Sequence, residues 1–247
     1  MERIAWLPEK TQALIEETST ALDKALGKSL EATLLVGHAM NPARPDRARG
    51  PEILAFTEGA RPPDLVQLSR ALHGPMMKGA RVRVLTHREL DRSCDVFALE
   101  IAEWKARHLL LSGRDVLARL TVDAHDLRHG LETELRGLSR RIRNRLLTAL
   151  ATDGRRDDPA DAVLVGYDRF LVCGYHGLSL LGHEPPRDEP SIVKTVGEKL
   201  KIRYAEVVVH LGALRSGEVK VDSVRAFSDL VAMSEPLLDA VDAFEVD

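Results

Sequence analysis

The sequence predicts an α/β N-terminal half, with a mixed or parallel sheet covered by helices, and an all-helical C-terminal half. Short apolar runs typical of strands alternate with helical periodicity as far as the turn at Ser112-Gly113. Beyond that turn, large aliphatic residues recur every three or four positions from Leu127 to Leu146, which predicts one long amphipathic helix. We therefore expect two domains, residues 1–113 and 114–247.

The N-terminal half is predicted to begin with a helix that has Pro8 in its first turn and ends at Gly27. A buried strand then ends at Gly37, and three prolines with three arginines make the stretch 40–51 a loop. The remaining elements rest on strand-like runs and on leucines at helical spacing. They are strands over 52–57, 81–86 and 95–100, a helix that Pro62 and Pro63 open and Gly74-Pro75 stops, and a short helix over 102–110.

The C-terminal half begins with an acidic helix start, because Asp126 follows Asp123 by three positions. Three further helical stretches follow, separated by short polar or proline-rich loops. They cover residues 160–181, 192–214 and 221–244. Four antiparallel helices joined in this way predict a bundle.

Composition excludes several classes of protein. The chain has 35 basic and 38 acidic residues, so its net charge of -3 provides no global field for bulk binding of nucleic acid or of an anionic membrane. No window has the ~18 to 20 apolar residues of a membrane span. Cys94 and Cys173 match no metal or redox spacing and are expected to be ordinary buried or half-buried thiols. We expect a cytoplasmic protein.

One stretch of sequence suggests a particular fold. A strand ends at Gly37, a loop follows, and a second strand begins at Glu52. This arrangement resembles the nucleotidyltransferase superfamily related to DNA polymerase β. The resemblance extends through Asp95-Val-Phe-Ala-Leu-Glu100 and the Leu111-Ser-Gly113 turn to Glu132-x-Glu134-Leu-Arg-Gly137, which look like a group of bacterial nucleotidyltransferase-domain proteins with a helical C-terminal domain. It implies a Gly-Ser turn that holds a triphosphate, an Asp-x-Asp pair that binds two magnesium ions, and a third carboxylate.

The sequence departs from the family pattern within this motif. Gly37 is present, but His38 stands at the serine position, and Leu54 stands at the second aspartate position after Glu52. A leucine cannot ligate a cation, and one glutamate with a third carboxylate, Asp95 or Glu100, is too few ligands for two magnesium ions. We therefore expect no catalytic residues, no metal and no cofactor. The alternative is an active enzyme that uses magnesium and a nucleoside triphosphate.

Two groups of arginines are candidate contacts for an acidic protein partner, a nucleotide or another phosphorylated ligand, because guanidinium groups pair well with oxyanions. They are Arg44, Arg47 and Arg49 in the loop, and Arg136, Arg140 and Arg143 on one face of the long helix. Solvated surfaces are the competing interpretation. A binding or regulatory protein is the preferred hypothesis, and a purely structural interaction module is a third.

Two further patterns are interpreted as structural. His125 and His129, four apart on a helix with Glu132 beyond them, resemble a helical zinc motif, but a solvated polar face explains the same residues and is preferred. Arg169 to His176 and Arg203 to His210 have a spacing found in helical ribonucleases. Phe170 and Tyr204 stand where those enzymes have a polar residue, so packing histidines are preferred.

Overall fold

A four-stranded mixed sheet organises the first part of the chain. A computed structural model describes residues 4–40, 50–58, 65–217 and 221–245. The sheet has the order β3-β2-β1-β4, in which β1 is antiparallel to β2 and β4, and β2 is parallel to β3. The strands are β1 (Leu30–Val36), β2 (Glu52–Thr57), β3 (Arg81–Thr86) and β4 (His108–Gly113). The predicted fold class, an α/β N-terminal part followed by helices, is confirmed.

The two faces of the sheet are covered by different helices, because successive side chains on a strand point to opposite sides. Leu35, Ile53 and Ala55 pack with one set of helices, and Leu34 and Leu54 face the other. The first face is covered by α1 (Glu9–Leu26) and α2 (Leu65–Met77), and the second by α3 (His87–Asp91), α4 (Ala98–Ala106) and the segment 116–120. Both central strands are therefore buried on both faces.

In the described residues of the second part of the chain, the regular elements are all helices. It comprises α5 (Ala124–Ala151), α6 (Pro159–Leu180), α7 (Glu189–Leu200), α8 (Ala205–Ser216) and α9 (Ser223–Asp242). The leucine stripe predicted for α5 is buried, and α5 packs against α6 and α9. Aspartate side chains cap the N-termini of α5, α6, α7 and α9 by accepting backbone N–H bonds.

The chain divides into two compact units, Met1–Val122 and Asp123–Asp247. The sequence pattern predicts that the first domain ends at Gly113. Val116, Leu117 and Leu120 belong to the hydrophobic core beneath the sheet, which accounts for the position of the division in the structure.

The fourth strand was predicted in the wrong place. Asp95–Phe97 forms a turn and α4 follows, while β4 occupies residues predicted as the end of a helix and a turn. Ala98, Ile101 and Trp104 are buried at a spacing of three, which is helical, and the apolar run from Leu109 pairs with β1. Short apolar runs carry no periodic signal that separates a strand from a helix, and this ambiguity caused the error.

Two helix predictions also need correction. The helix predicted over 192–214 is two helices, because Lys201 adopts a left-handed conformation (φ 56°) and ends α7. No glycine or proline marks that break in the sequence. Pro75 does not stop α2, which continues to Met77. The predicted opening of that helix, Pro62 and Pro63, lies outside the described residues, as does most of the predicted loop 40–51.

Candidate functional site

The region singled out by the sequence contains a buried carboxylate held by two arginines. Glu52 opens β2 and is only 6% exposed. Its Oε2 lies 2.8 Å from Arg81 Nη2, and its Oε1 lies 2.8 Å from Arg83 Nε. Arg83 Nη1 also contacts Glu100 Oε1 at 2.5 Å. We call Glu52, Arg81, Arg83 and Glu100 the Glu52 cluster.

Strand pairing brings these residues together. β2 and β3 are parallel, with Glu52 opposite Arg81 and Leu54 opposite Arg83. Because alternate residues of a strand share a face, Arg81 and Arg83 lie on the same side of the sheet as Glu52. The alternating pattern of β3 predicted its two-faced character, but its pairing with β2 is a long-range feature that the sequence did not indicate.

Leu54 is a core residue. It is 0% exposed and belongs to the hydrophobic cluster that contains Leu34, Ile101 and Trp104. The position at which the resembling family has its second metal-binding aspartate is therefore filled by an apolar side chain in an apolar environment. Together, Glu52 with both carboxylate oxygens engaged and Leu54 in the core do not fit a two-metal site.

The turn after β1 lies against this cluster. Gly37 has φ +75°, and a Cβ atom at this position would lie 3.3 Å from Glu52 Oε2, so glycine suits both the backbone and the contact. His38 lies in the short 3₁₀ turn Gly37–Met40, and the position of its side chain is not among the described features of the structure. Arg44, Arg47 and Arg49 lie outside the described residues. Val36, the last residue of β1, pairs with Glu52, so the end of β1 lies beside the Glu52 cluster.

The two candidates for a third carboxylate differ in position. Glu100 is bridged to Glu52 by Arg83, whereas Asp95 is exposed and accepts a hydrogen bond from the Val96 N–H at 2.8 Å. Burial lowers the pKa of Arg83, but its contacts with Glu100 and Glu52 outweigh burial and raise that pKa overall. Arg83 also lies 5.5 Å from the Trp104 ring centroid. The guanidinium of Arg83 thus has partners on several sides.

A second polar cluster, which the sequence did not reveal, lies at the opposite end of β1. Glu31 contacts His87 Nε2 and Arg114 Nε, and Arg119 Nη2 lies 2.6 Å from His87 Nδ1. Both ring nitrogens of His87 are therefore engaged by charged side chains. We call these four residues the Glu31 cluster. It joins β1 to α3 and to the segment that follows β4.

The predicted arginine face of α5 is only partly free of partners. Arg136 pairs with Asp242 at 2.9 Å. Arg140 and Arg143 are exposed, and neither has an ion-pair partner within the described part of the chain. The histidine pair on the same helix stacks at 6.3 Å between ring centroids, and Glu132 pairs with Arg128 at 2.8 Å. Glu132 is thus engaged by an arginine, as expected for a polar helix face.

The helical unit has buried polar groups of its own. Arg215 is held by Asp168 at 2.5 Å and by Glu189 at 3.0 Å. His210 Nδ1 lies 3.2 Å from Asp229 Oδ2. Burial and, secondarily, Asp229 raise the pKa of Tyr167 above its usual value. His176 is buried and packs edge-on to Tyr175, consistent with the packing role preferred for the histidines of the Arg–His patterns.

Further features of the described residues concern metal-binding groups, membrane-spanning helices and the state of the two cysteines. In residues 4–40, 50–58, 65–217 and 221–245, no group of three or more histidine, cysteine, aspartate or glutamate side chains is arranged to hold a metal ion. Within the same ranges, every helix is too short or too polar to cross a membrane. Cys94 is half-buried and Cys173 is buried, as expected of ordinary thiols.

The architecture of sheet and helices defines the chain as a nucleotidyltransferase fold. Spectinomycin adenyltransferase from Enterococcus faecialis, whose structure was determined with ATP and spectinomycin, is similar over 94% of this chain and 99% of its own, with a TM-score of 0.57 and 12% identity. At this identity the similarity concerns the fold alone. The resemblance inferred from the sequence motif is confirmed at that level.

A second similar structure is a nucleotidyltransferase-like protein from Exiguobacterium sibiricum. The match covers 91% of this chain and 74% of that one, with a TM-score of 0.31 and 11% identity. A TM-score this low does not by itself establish a shared fold. No protein-family model and no curated protein matches the sequence.

Proposed function

We propose that this chain is a catalytically degenerate nucleotidyltransferase-fold protein that acts by binding, as a regulatory or scaffold protein. The observation that carries the proposal is the pairing of both Glu52 oxygens with Arg81 and Arg83. A carboxylate whose two oxygens already accept charge-assisted hydrogen bonds is a poor ligand for a cation. The buried Leu54 removes the adjacent ligand position.

Electrostatics support the same conclusion. Two magnesium ions that lie about 3.5 to 4 Å from each other carry four positive charges, and several carboxylates are required to offset that charge. In the Glu52 cluster, two glutamates are matched by two arginines, so no net negative charge remains there. In this proposal the guanidinium groups take over the charge-balancing role that cations have in active members of the superfamily.

The alternative is an active nucleotidyltransferase. The similar enzyme from Enterococcus faecialis is an adenyltransferase described with ATP and spectinomycin. A corresponding activity here would transfer a nucleotide from a triphosphate to a small molecule, a protein or an RNA. The position of Glu100 next to Arg83 favours this alternative, because displacement of the arginines would leave two carboxylates close together. A purely structural module is the third hypothesis.

The deciding experiment measures magnesium-dependent transfer from α-labelled ATP to the protein itself, to spectinomycin and to a short RNA. We expect no incorporation, with a spectinomycin adenyltransferase as the positive control. Leu54→Asp alone should not generate activity, because the arginines still occupy Glu52. Robust incorporation that is abolished by Glu52→Ala would overturn the proposal and establish the alternative.

A thermal-shift panel separates binding from scaffolding. Ligands that bind only the folded state raise the melting temperature by mass action. If the chain binds a nucleotide or another phosphorylated ligand, we expect that ligand to raise the melting temperature equally with and without magnesium. A shift that requires magnesium would contradict the absence of a metal site.

A further inference from the structure

The C-terminal half of α5 has an uneven distribution of charge. Between Arg136 and Ala151 it contains five arginines and no aspartate or glutamate. Three of the five have carboxylate partners within the helical unit: Arg136 pairs with Asp242, Arg141 with Glu134, and Arg145 with Asp157. Arg140 and Arg143 have none in the described ranges, although both are exposed.

The two unpaired arginines share a face with two exposed leucines. Leu147 is 65% exposed and Leu150 is 49% exposed. At 3.6 residues per turn, positions 140, 143, 147 and 150 fall within an arc of about 80°, over a length of about 15 Å. Arg141 and Arg145 point elsewhere by the same geometry. We call Arg140, Arg143, Leu147 and Leu150 the α5 stripe.

Structural roles do not account for the α5 stripe. Cations stabilise the last turn of a helix through its dipole, but that effect fades within one turn, and Arg140 and Arg143 lie two to three turns before the end at Ala151. Single exposed leucines are ordinary, whereas two on adjacent turns that continue an unpaired arginine pair form an uncovered amphipathic surface.

The chemistry of the α5 stripe selects its partner. A second copy packed antiparallel would set arginines against leucines, and a parallel copy would set arginines against arginines, so neither is complementary. A nucleic acid would satisfy the guanidinium groups but would leave Leu147 and Leu150 against a phosphate backbone. An amphipathic helix with carboxylates at one end and apolar side chains at the other satisfies all four residues.

We propose that the α5 stripe docks an acidic amphipathic helix of a partner protein, with carboxylates on Arg140 and Arg143 and apolar side chains on Leu147 and Leu150. This inference gives the proposed binding role a location and a partner class. It rests on the helical unit alone, so its failure is distinguishable from failure of the catalytic degeneracy, which the transfer assay measures.

The experiment uses the full chain and a synthetic fluorescein-labelled probe peptide with two glutamates and two leucines at matching helical spacing. Binding is followed by fluorescence anisotropy at low and high salt. Since hydrogen bonds to charged groups are stronger than neutral ones, Arg140→Glu/Arg143→Glu should weaken binding at least about ten-fold. Leu147→Ala/Leu150→Ala should also weaken it at least about ten-fold, through lost apolar burial.

Matched controls isolate the α5 stripe from general charge. Arg155→Glu/Arg156→Glu makes the same change in net charge at two exposed loop positions, and we expect binding within about two-fold of wild type, as for surface changes away from a contact. Circular dichroism confirms that each variant is folded. A peptide with alanine for leucine should bind at least about ten-fold more weakly.

Three results would overturn the proposal. The first is equal weakening by the stripe and loop charge reversals, which would indicate non-specific attraction. The second is a single-stranded oligonucleotide of equal charge that binds as tightly as the peptide. The third is the absence of measurable peptide binding to folded wild-type protein at low salt.

Discussion

The two units neutralise their buried charges in opposite ways. In the α/β unit, the buried carboxylate of Glu52 is held by Arg81 and Arg83, and the half-buried carboxylate of Glu31 contacts Arg114 and His87. In the helical unit, the largely buried Arg215 is held by two carboxylates, those of Asp168 and Glu189. The first arrangement places an excess of basic groups around one carboxylate. The second has an excess of negative charge, but its carboxylates are committed to a structural arginine that links α6, α7 and α8.

The largest effect is expected at the position that separates a core from a metal site. Leu54→Asp places a carboxylate in the apolar core of the α/β unit, and we expect a loss of about 4 kcal/mol or more in the free energy of unfolding. Denaturant titration measures it. Leu54→Met, which conserves volume, should cost less than about 1.5 kcal/mol. A stable Leu54→Asp protein whose melting temperature rises with magnesium would refute the idea that arginines have replaced the metal.

The next largest effect tests the helical unit. Arg215→Met removes the cation that bridges Asp168 and Glu189, and breaking a largely buried ion pair costs about 3 to 5 kcal/mol. Arg169→Met is the matched control, because Arg169 is solvent-exposed and lies 3.8 Å from Glu134. A surface pair of this kind contributes about 0 to 1 kcal/mol. If the two variants unfold at the same denaturant concentration, the Arg215 group is not a structural element.

A smaller effect is expected from the Glu52 cluster, because Glu52 keeps one arginine when the other is removed. Arg83→Met should cost about 1 to 2 kcal/mol through loss of its bonds to Glu52 and Glu100. Adding Glu52→Gln should recover part of that cost, and a double-mutant cycle should give a coupling of at least about 0.5 kcal/mol. Strict additivity would mean that Arg83 and Glu52 are not energetically linked.

Sequence periodicity predicted the elements in which one pattern dominates. β1, β2 and α5 have long apolar runs or stripes, and all three are present. β4 was missed because Leu109, Leu110 and Leu111 carry no alternation, and the break at Lys201 was missed because a left-handed lysine leaves no compositional mark. The same reasoning explains why Leu54 was noticed at the aspartate position of the resembling family while the arginines beside Glu52 were not. A substitution is visible in the sequence, whereas a partner across two strands requires the register.

The smallest effect concerns pH and one helix cap of the helical unit. Asp188 caps α7 by accepting the Ser191 N–H at 2.9 Å, and hydrogen bonds from Ser191 hold the pKa of Asp188 below its ordinary value of 3.8. A folded-state pKa that is lowered contributes stability above the unfolded pKa, and that contribution is lost as pH falls through the folded value. Asp188→Ala should therefore cost about 1 kcal/mol near neutral pH, since an exposed cap is screened by solvent, and less as pH falls below the ordinary pKa of 3.8 and through the folded-state value.

The matched variant for this last prediction is Asp188→Ser, whose hydroxyl can accept the same backbone bond but does not titrate. The free energy of unfolding of wild type, alanine and serine variants is measured from pH 7 down to the lowest pH at which all three fold. The serine variant should stay close to wild type near neutral pH, and its difference from alanine should not change with pH. If the wild-type advantage over alanine also stays constant through the acid range, the low pKa of Asp188 does not contribute to stability.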